Sequence, residues 1–210
     1  MLISHSKILV SDIKNCRILL LNMRSVKPIE MQYGRTKVCL HKPPYLFGSP
    51  NSAFPERTGR FIVTEINGSW VTEMDLSGHV YWSIHPPGIA YPSDTNQAGL
   101  NELITTDYSY PGQILIFTNT GKVIWRFRPL GQDALHPSLA VMLPNGYVLA
   151  TDDRNDRVIV IDPKSDKIVW QYGHTGIPGI LPGYLNNPDG LDVAYPYSYL
   201  TRTLELYKNP

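Results

Sequence analysis

Val148-Leu-Ala-Thr-Asp152, Arg157-Val-Ile-Val-Ile-Asp162 and Ile168-Val-Trp-Gln-Tyr172 are the three runs that decide the fold. Each is short, apolar and rich in β-branched or aromatic residues, which suits a pleated, half-buried strand. The connectors are Asp153-Arg-Asn-Asp156 and Pro163-Lys-Ser-Asp-Lys167, made almost wholly of turn formers. Connectors this short leave room only for antiparallel hairpins.

The same unit occurs three more times. Its first run recurs as Ile8-Leu-Val-Ser-Asp12, Phe61-Ile-Val-Thr-Glu65 and Leu103-Ile-Thr-Thr-Asp107. Its second recurs as Arg17-Ile-Leu-Leu-Leu-Asn22, Trp70-Val-Thr-Glu-Met-Asp75 and Gln113-Ile-Leu-Ile-Phe-Thr118. Its third recurs as Ile29-Glu-Met-Gln-Tyr33, Val80-Tyr-Trp-Ser-Ile84 and Val123-Ile-Trp-Arg-Phe127. A proline-led element precedes the later units, at Pro50-Asn-Ser-Ala-Phe54, Pro92-Ser-Asp94 and Pro137-Ser-Leu-Ala-Val-Met142, and recurs at Pro188-Asp-Gly-Leu-Asp-Val193. The acids ending the first run are spaced by 53, 42 and 45 residues. Four antiparallel strands, A to D, in each 40–50 residues is the pattern of a β-propeller blade. No repeat carries the 3.6-residue period of an amphipathic helix.

The expected architecture is therefore all-β, a single propeller domain over residues 1–210, with blades at about 1–34, 48–87, 91–129 and 136–173. The first unit begins almost at strand B, so a closing A strand is expected from about 187–194, with 195–210 as a C-terminal extension. Trp82, Trp125 and Trp170 share one D-strand position, suited to packing between blades, and Met31 stands there in the first copy.

Composition narrows the function classes. Lys and Arg number 19 against 18 Asp and Glu, with no run of either sign, so a nucleic-acid partner is not expected. No apolar stretch is long enough for a membrane-spanning helix. The opening residues do not form a signal peptide, which reads as a cytoplasmic chain; if N-terminal residues are missing, an exported one is equally expected. Cys16 and Cys39 read either as two buried thiols or as a pair at one mouth of the first blade, able to bridge in an oxidising compartment.

Several stretches resemble bacterial NHL-type and PQQ-like propeller proteins: Ser11-Asp-Ile-Lys-Asn-Cys-Arg17, Val63-Thr-Glu-Ile-Asn-Gly68, Ala90-Tyr-Pro-Ser-Asp94, Asp152-Asp-Arg-Asn-Asp-Arg157 and Gly183-Tyr-Leu-Asn-Asn-Pro-Asp-Gly190. The resemblance implies a fold, usually of six blades, and no reaction. More distant similarity reaches lactonase-type and streptogramin-lyase-type propellers, and fold-level likeness does not transfer their chemistry.

Repetition also sorts residues. The acids Asp12, Glu65, Asp107 and Asp152 recur in every blade and read as architectural, fixing the turn after strand B. What breaks the symmetry is the D-to-A connection, long between Gly34 and Pro50 and again between Gly173 and Pro188. Long loops on a rigid scaffold carry binding sites. Each connection holds a histidine. His85, His136 and His174 are the candidate acid–base or metal-binding residues, and His41, Tyr91 and Tyr184 mark the expected binding mouth. Asn51, Asp94, Asn187 and Asp189 at the starts of the inner strands supply oxygen ligands that would suit Ca²⁺, or hold ordered water. Nothing marks a pyrroloquinoline quinone pocket. The expected function is a binding or scaffold propeller taking a small-molecule ligand or a protein partner, and the alternative is a metal-assisted hydrolase or lyase.

Overall fold

The computed structural model describes residues 2–4, 6–56 and 59–193. The described chain holds four four-stranded antiparallel sheets and no α-helix. The first sheet is β1 (Leu2–Ser4), β2 (Lys7–Asp12), β3 (Arg17–Asn22) and β4 (Ile29–Tyr33). The second is β5 (Pro50–Pro55), β6 (Arg60–Glu65), β7 (Trp70–Asp75) and β8 (Val80–Ile84). The third is β9 (Pro92–Gly99), β10 (Glu102–Asp107), β11 (Gln113–Thr118) and β12 (Val123–Phe127). The fourth is β13 (Pro137–Met142), β14 (Val148–Asp152), β15 (Arg157–Asp162) and β16 (Lys167–Gly173). Every sheet keeps its strands in chain order, A-B-C-D, as the repeat predicts.

The chain divides into two compact units, each a pair of blades. One runs to His85 and the other covers Pro86–Asp192. Each unit buries its own core between its two sheets. In the first, Leu9, Ile18, Leu20 and Tyr33 of the first blade pack with Ala53, Phe61, Val63 and Met74 of the second. In the other, Ile104, Ile114, Ile116 and Phe127 of the third blade pack with Ala140, Val148, Ala150, Ile159 and Ile161 of the fourth. Alternate residues along each strand enter these cores, because side chains in a strand point to opposite faces. Trp125 packs against the second core and donates from Nε1 to Asp166 Oδ1 at 2.7 Å.

One irregularity recurs in all four blades. The ladder between strands C and D slips by one residue at the same place, between Leu20 and Leu21, Glu73 and Met74, Ile116 and Phe117, and Val160 and Ile161. Each slip leaves one D-strand residue unpaired and increases the local twist.

Two expectations are corrected. The A position of the first blade is held by β1, with Leu2 opposite Ile8 and Ser4 opposite Lys7. The expected closing strand does not form over its described part, 187–193, which is irregular. The place beside β2 that this strand was expected to fill is already taken by β1. The extension 195–210 lies outside the described residues.

Candidate functional site

The repeated acids act as clamps at one end of each blade. Asp152 accepts from the His136 amide, the Asn155 side chain and Arg157 Nε. Asp107 accepts from the amides of Ala90 and Tyr91 and from Gln113 Nε2. Burial alone would push the Asp107 carboxyl up, but these donors outweigh it and hold it below the usual carboxylate range. Glu65 accepts from the Gly48 amide and from His41 Nδ1, and Asp12 from Asn15 and Arg17. In three blades the acid therefore ties down the chain just before strand A. The turn after strand B is held as well, as the repeat suggested: Asp12, Asp107 and Asp152 accept from the Asn15 side chain, the Ser109 amide and the Asn155 side chain.

In the first unit this end is braced throughout. Cys16 in the B–C turn is disulfide-bonded to Cys39 in the connection 34–49, with Cα atoms 5.1 Å apart. Phe47 from the same connection is fully buried in the core. His41 stacks on Trp70 at 4.0 Å between centroids and 5° between planes, and His85 packs on Trp70 at 3.6 Å. Two candidate histidines are thus brought together, with an indole between them. His85 Nδ1 also lies 3.1 Å from the Ser69 carbonyl oxygen. This long connection, expected to carry a binding site, is fastened at Cys39, His41 and Phe47.

The second unit presents a different surface. Tyr91, just before β9, lies 5.9 Å from Tyr108 in the B–C turn. Tyr110 of that turn stacks on His136 at 5.3 Å, and Tyr108 meets the same imidazole edge-on at 6.2 Å. Tyr91 and Tyr110 are 40% and 69% exposed, so their faces are open to a ligand. His136 Nδ1 is buried with no hydrogen-bond partner among the described residues. Polar groups border the rings. Arg154 Nε donates to the Tyr108 hydroxyl at 2.9 Å, and Ser138 Oγ donates to Asp189 Oδ1. Burial, joined by the charge of Asp189, raises the Asp153 carboxyl, against the hydrogen bond from Tyr108 and the charge of Arg154.

The other expected positions are dispersed. His174 packs on Tyr184 at 4.4 Å, on the connection after β16. Asn187 donates its amide to Asp156 Oδ1 at 3.0 Å. Asp94 is buried and accepts from the Asn96 side chain at 2.6 Å, and Asn51 lies half-buried in β5 of the first unit. Among the described residues, no group of three His, Cys, Asp or Glu stands close enough to share a metal ion. Nor is any helix there long and apolar enough to cross a membrane.

Sequence reasoning overlooked Tyr108, Tyr110, Asp153 and Arg154. The signal was present: the B–C connection of the third blade, 108–112, is one residue longer than the other three. Symmetry-breaking pointed to the D–A loops, and the same test applied to the B–C turns finds Tyr108-Ser-Tyr110-Pro111.

No family model and no curated protein matches the chain. Solved structures do. A streptogramin B lyase aligns with TM-score 0.60 and 20% identity, covering 84% of this chain and 54% of that one. A catalytically inactive variant of virginiamycin B lyase from Staphylococcus aureus with quinupristin aligns with TM-score 0.60 and 17% identity, over 84% of this chain and 55% of that one. The WD40 β-propeller domain of Doa1 aligns with TM-score 0.58 and 14% identity, over 80% and 52%. The chain spans about half the length of these propellers. At such identities the likeness is one of fold: the four sheets are blades of a β-propeller.

Proposed function

We propose that the chain is a binding module whose ligand site is the aromatic mouth of the second unit. The observation that carries this reading is the cluster in which Tyr108 and Tyr110 pack on His136 and Tyr91 lies against Tyr108, with Asp153 accepting from the Tyr108 hydroxyl and the faces of Tyr91 and Tyr110 exposed. Tyrosine faces stack on flat or ring-shaped ligands, and neighbouring carboxylates accept from hydroxyl or amino groups on the ring edge. The ligand class is a small ring compound rich in donors. The test is titration of the protein with a panel of oligosaccharides and cyclic peptides, followed by intrinsic fluorescence. Binding that weakens several-fold in Tyr110→Ala and Tyr91→Ala supports the site, and binding unaffected by both variants refutes it.

A second reading is a metal-assisted hydrolase or lyase, two of the fold neighbours being lyases, with Ca²⁺ as the expected ion. His136 favours it, because its buried Nδ1 has no hydrogen-bond partner among the described residues and an unengaged imidazole nitrogen can move a proton. Consumption of quinupristin on incubation with the protein, abolished in His136→Ala, would establish it. The disulfide supports work in an oxidising compartment and hence an exported chain. A free-thiol assay on protein recovered without reductant tests this, and two reactive thiols per chain would refute it. A protein partner at the same mouth is the remaining form of the binding reading.

A further inference from the structure

The turn Asp12-Ile-Lys-Asn-Cys-Arg17 returns in the fourth blade as Asp152-Asp-Arg-Asn-Asp-Arg157, so Asp153 stands where Ile13 does and Arg154 where Lys14 does. Ile13 is 37% exposed, whereas Asp153 is 2% exposed. A carboxyl group buried this far needs hydrogen-bond donors. The Arg154 amide donates to Asp153 Oδ1 at 2.6 Å, and the Tyr108 hydroxyl donates to the same carboxyl group. The Tyr108 oxygen in turn accepts from Arg154 Nε at 2.9 Å, and the guanidinium carbon lies 5.4 Å from the Tyr108 ring centre. A relay of hydrogen bonds therefore runs from buried Asp153 through Tyr108 to Arg154 at the surface. Tyr108 belongs to the third blade and the other two to the fourth, and those blades share one core within one unit.

This relay uses one edge of the guanidinium and leaves the other open. Arg154 is exposed, and its Nη1 and Nη2 have no hydrogen-bond partner among the described residues. The arginines that close the two turns are engaged further out: Arg17 Nη1 holds Gln32 and Thr36, and Arg157 Nη1 holds Gln171 and Thr175. Fixing Nε orders the terminal nitrogens of Arg154 for a planar acceptor that takes both. The carboxylate that bears on Arg154 is Asp153, which is buried and already engaged. Tyr108 joins the open edge to the exposed rings, since Tyr91 lies 5.9 Å from it and Tyr110 packs on the same His136 imidazole.

We propose that Arg154 makes this mouth selective for ring compounds that carry a carboxylate, the ring stacking on Tyr91 or Tyr110 and the carboxylate accepting from Nη1 and Nη2. This selectivity rests on the aromatic mouth being the ligand site and adds the charge of the ligand. A tyrosine face holds a sugar ring or an aryl ring, and the guanidinium fork reads a carboxylate on either. Uronic-acid sugars and aromatic acids are the two sources of that chemistry. Tyr108 is a positioning residue, acting on the carboxylate through Arg154.

The experiment is calorimetric titration of the full chain at low salt with two matched pairs: trigalacturonate and its methyl ester, and para-hydroxybenzoate and its methyl ester. The proposal requires one acid to bind at least about tenfold more tightly than its own ester, and the pair that shows this names the source. Arg154→Gln must abolish the preference and leave the ester's binding unchanged. Arg154→Lys must keep only part of it, because an ammonium has no fork. Tyr108→Phe must weaken the acid and spare the ester, whereas a purely structural role would weaken both alike. Arg154 is exposed, so its variants keep their strand content, checked by circular dichroism. Acid and ester bound alike, with binding lost in Tyr110→Ala, overturn the role of Arg154 and leave the aromatic mouth standing. Binding indifferent to both Tyr91→Ala and Tyr110→Ala overturns both. Failure of all these compounds to bind overturns the carboxylate selectivity.

Discussion

The first and fourth blades carry the same knot in different surroundings. Asp12-x-x-Asn15-x-Arg17 and Asp152-x-x-Asn155-x-Arg157 each wrap a short 3-10 turn in which the asparagine and arginine both donate to the aspartate. Both arginines continue outward, Arg17 to Gln32 and Thr36, Arg157 to Gln171 and Thr175. In the fourth blade the Arg–Asp pair is almost sealed, with side chains 7% and 0% exposed, whereas in the first they are 23% and 25% exposed. The fifth position of the motif differs as well. Left-handed Cys16 is fixed covalently to Cys39, and left-handed Asp156 holds the Asn187 amide by one hydrogen bond. One motif thus supports a covalently braced mouth in one unit and a hydrogen-bonded one in the other.

The largest expected effect comes from breaking the sealed knot. Asp152→Ala leaves Arg157 buried without its partner and should cost about 3–5 kcal/mol, read as a shift in the urea midpoint. Removing the disulfide with Cys16→Ser and Cys39→Ser should cost about 3 kcal/mol, since it frees a loop with a sequence separation of 23 residues. The comparison can also be sharpened by transfer. Gly176 donates to the Asn155 carbonyl as Lys37 does to Asn15, which places Pro178 where Cys39 stands. Asp156→Cys with Pro178→Cys should then form a second bridge under oxidation and raise the melting temperature, and a drop would show that the two mouths differ in backbone path.

A pH titration separates the units further. Glu56, in the first unit, is pushed up to about 8, first by burial and then by its hydrogen bond to Glu73. Because its folded value lies above the ordinary 4.5 of a glutamate, its contribution is complete below about pH 4.5 and is lost as pH rises through about 8. Thermal melts should therefore fall by several degrees between pH 6 and 9, and Glu56→Gln should flatten that slope. The smallest effect belongs to Asp12→Ala. Its pair with Arg17 is partly solvated, so the loss should stay under about 1 kcal/mol and shrink in salt.

The blades were legible in the sequence because the β-branched runs, the terminal acids and the turn formers all agree in every copy. The fate of Pro188–Val193 was not legible, since an apolar pattern after proline cannot say whether a ladder position is already occupied. The candidate site was half legible. Tyr91 and His136 were found through the irregular D–A loops, and Tyr108 and Tyr110 were missed because they lie on a turn longer by a single residue. The anchoring of the loop 35–49 was not legible either: its length marked it as a carrier of a binding site, and a lone buried Phe47 in a loop leaves no periodic trace.

The slip shared by the four C–D ladders bears on how the protein survives at high concentration. Strand D ends each sheet, so its outer row of amides and carbonyls is a template for an unwanted further strand. A kink at the same height on every outer strand spoils the straight run that a cross-β partner needs. Glu30, Tyr81, Ile124 and Val169 are the residues passed over at the four slips. Deleting any one of them would straighten its edge, and the expected cost is fibril formation rather than unfolding.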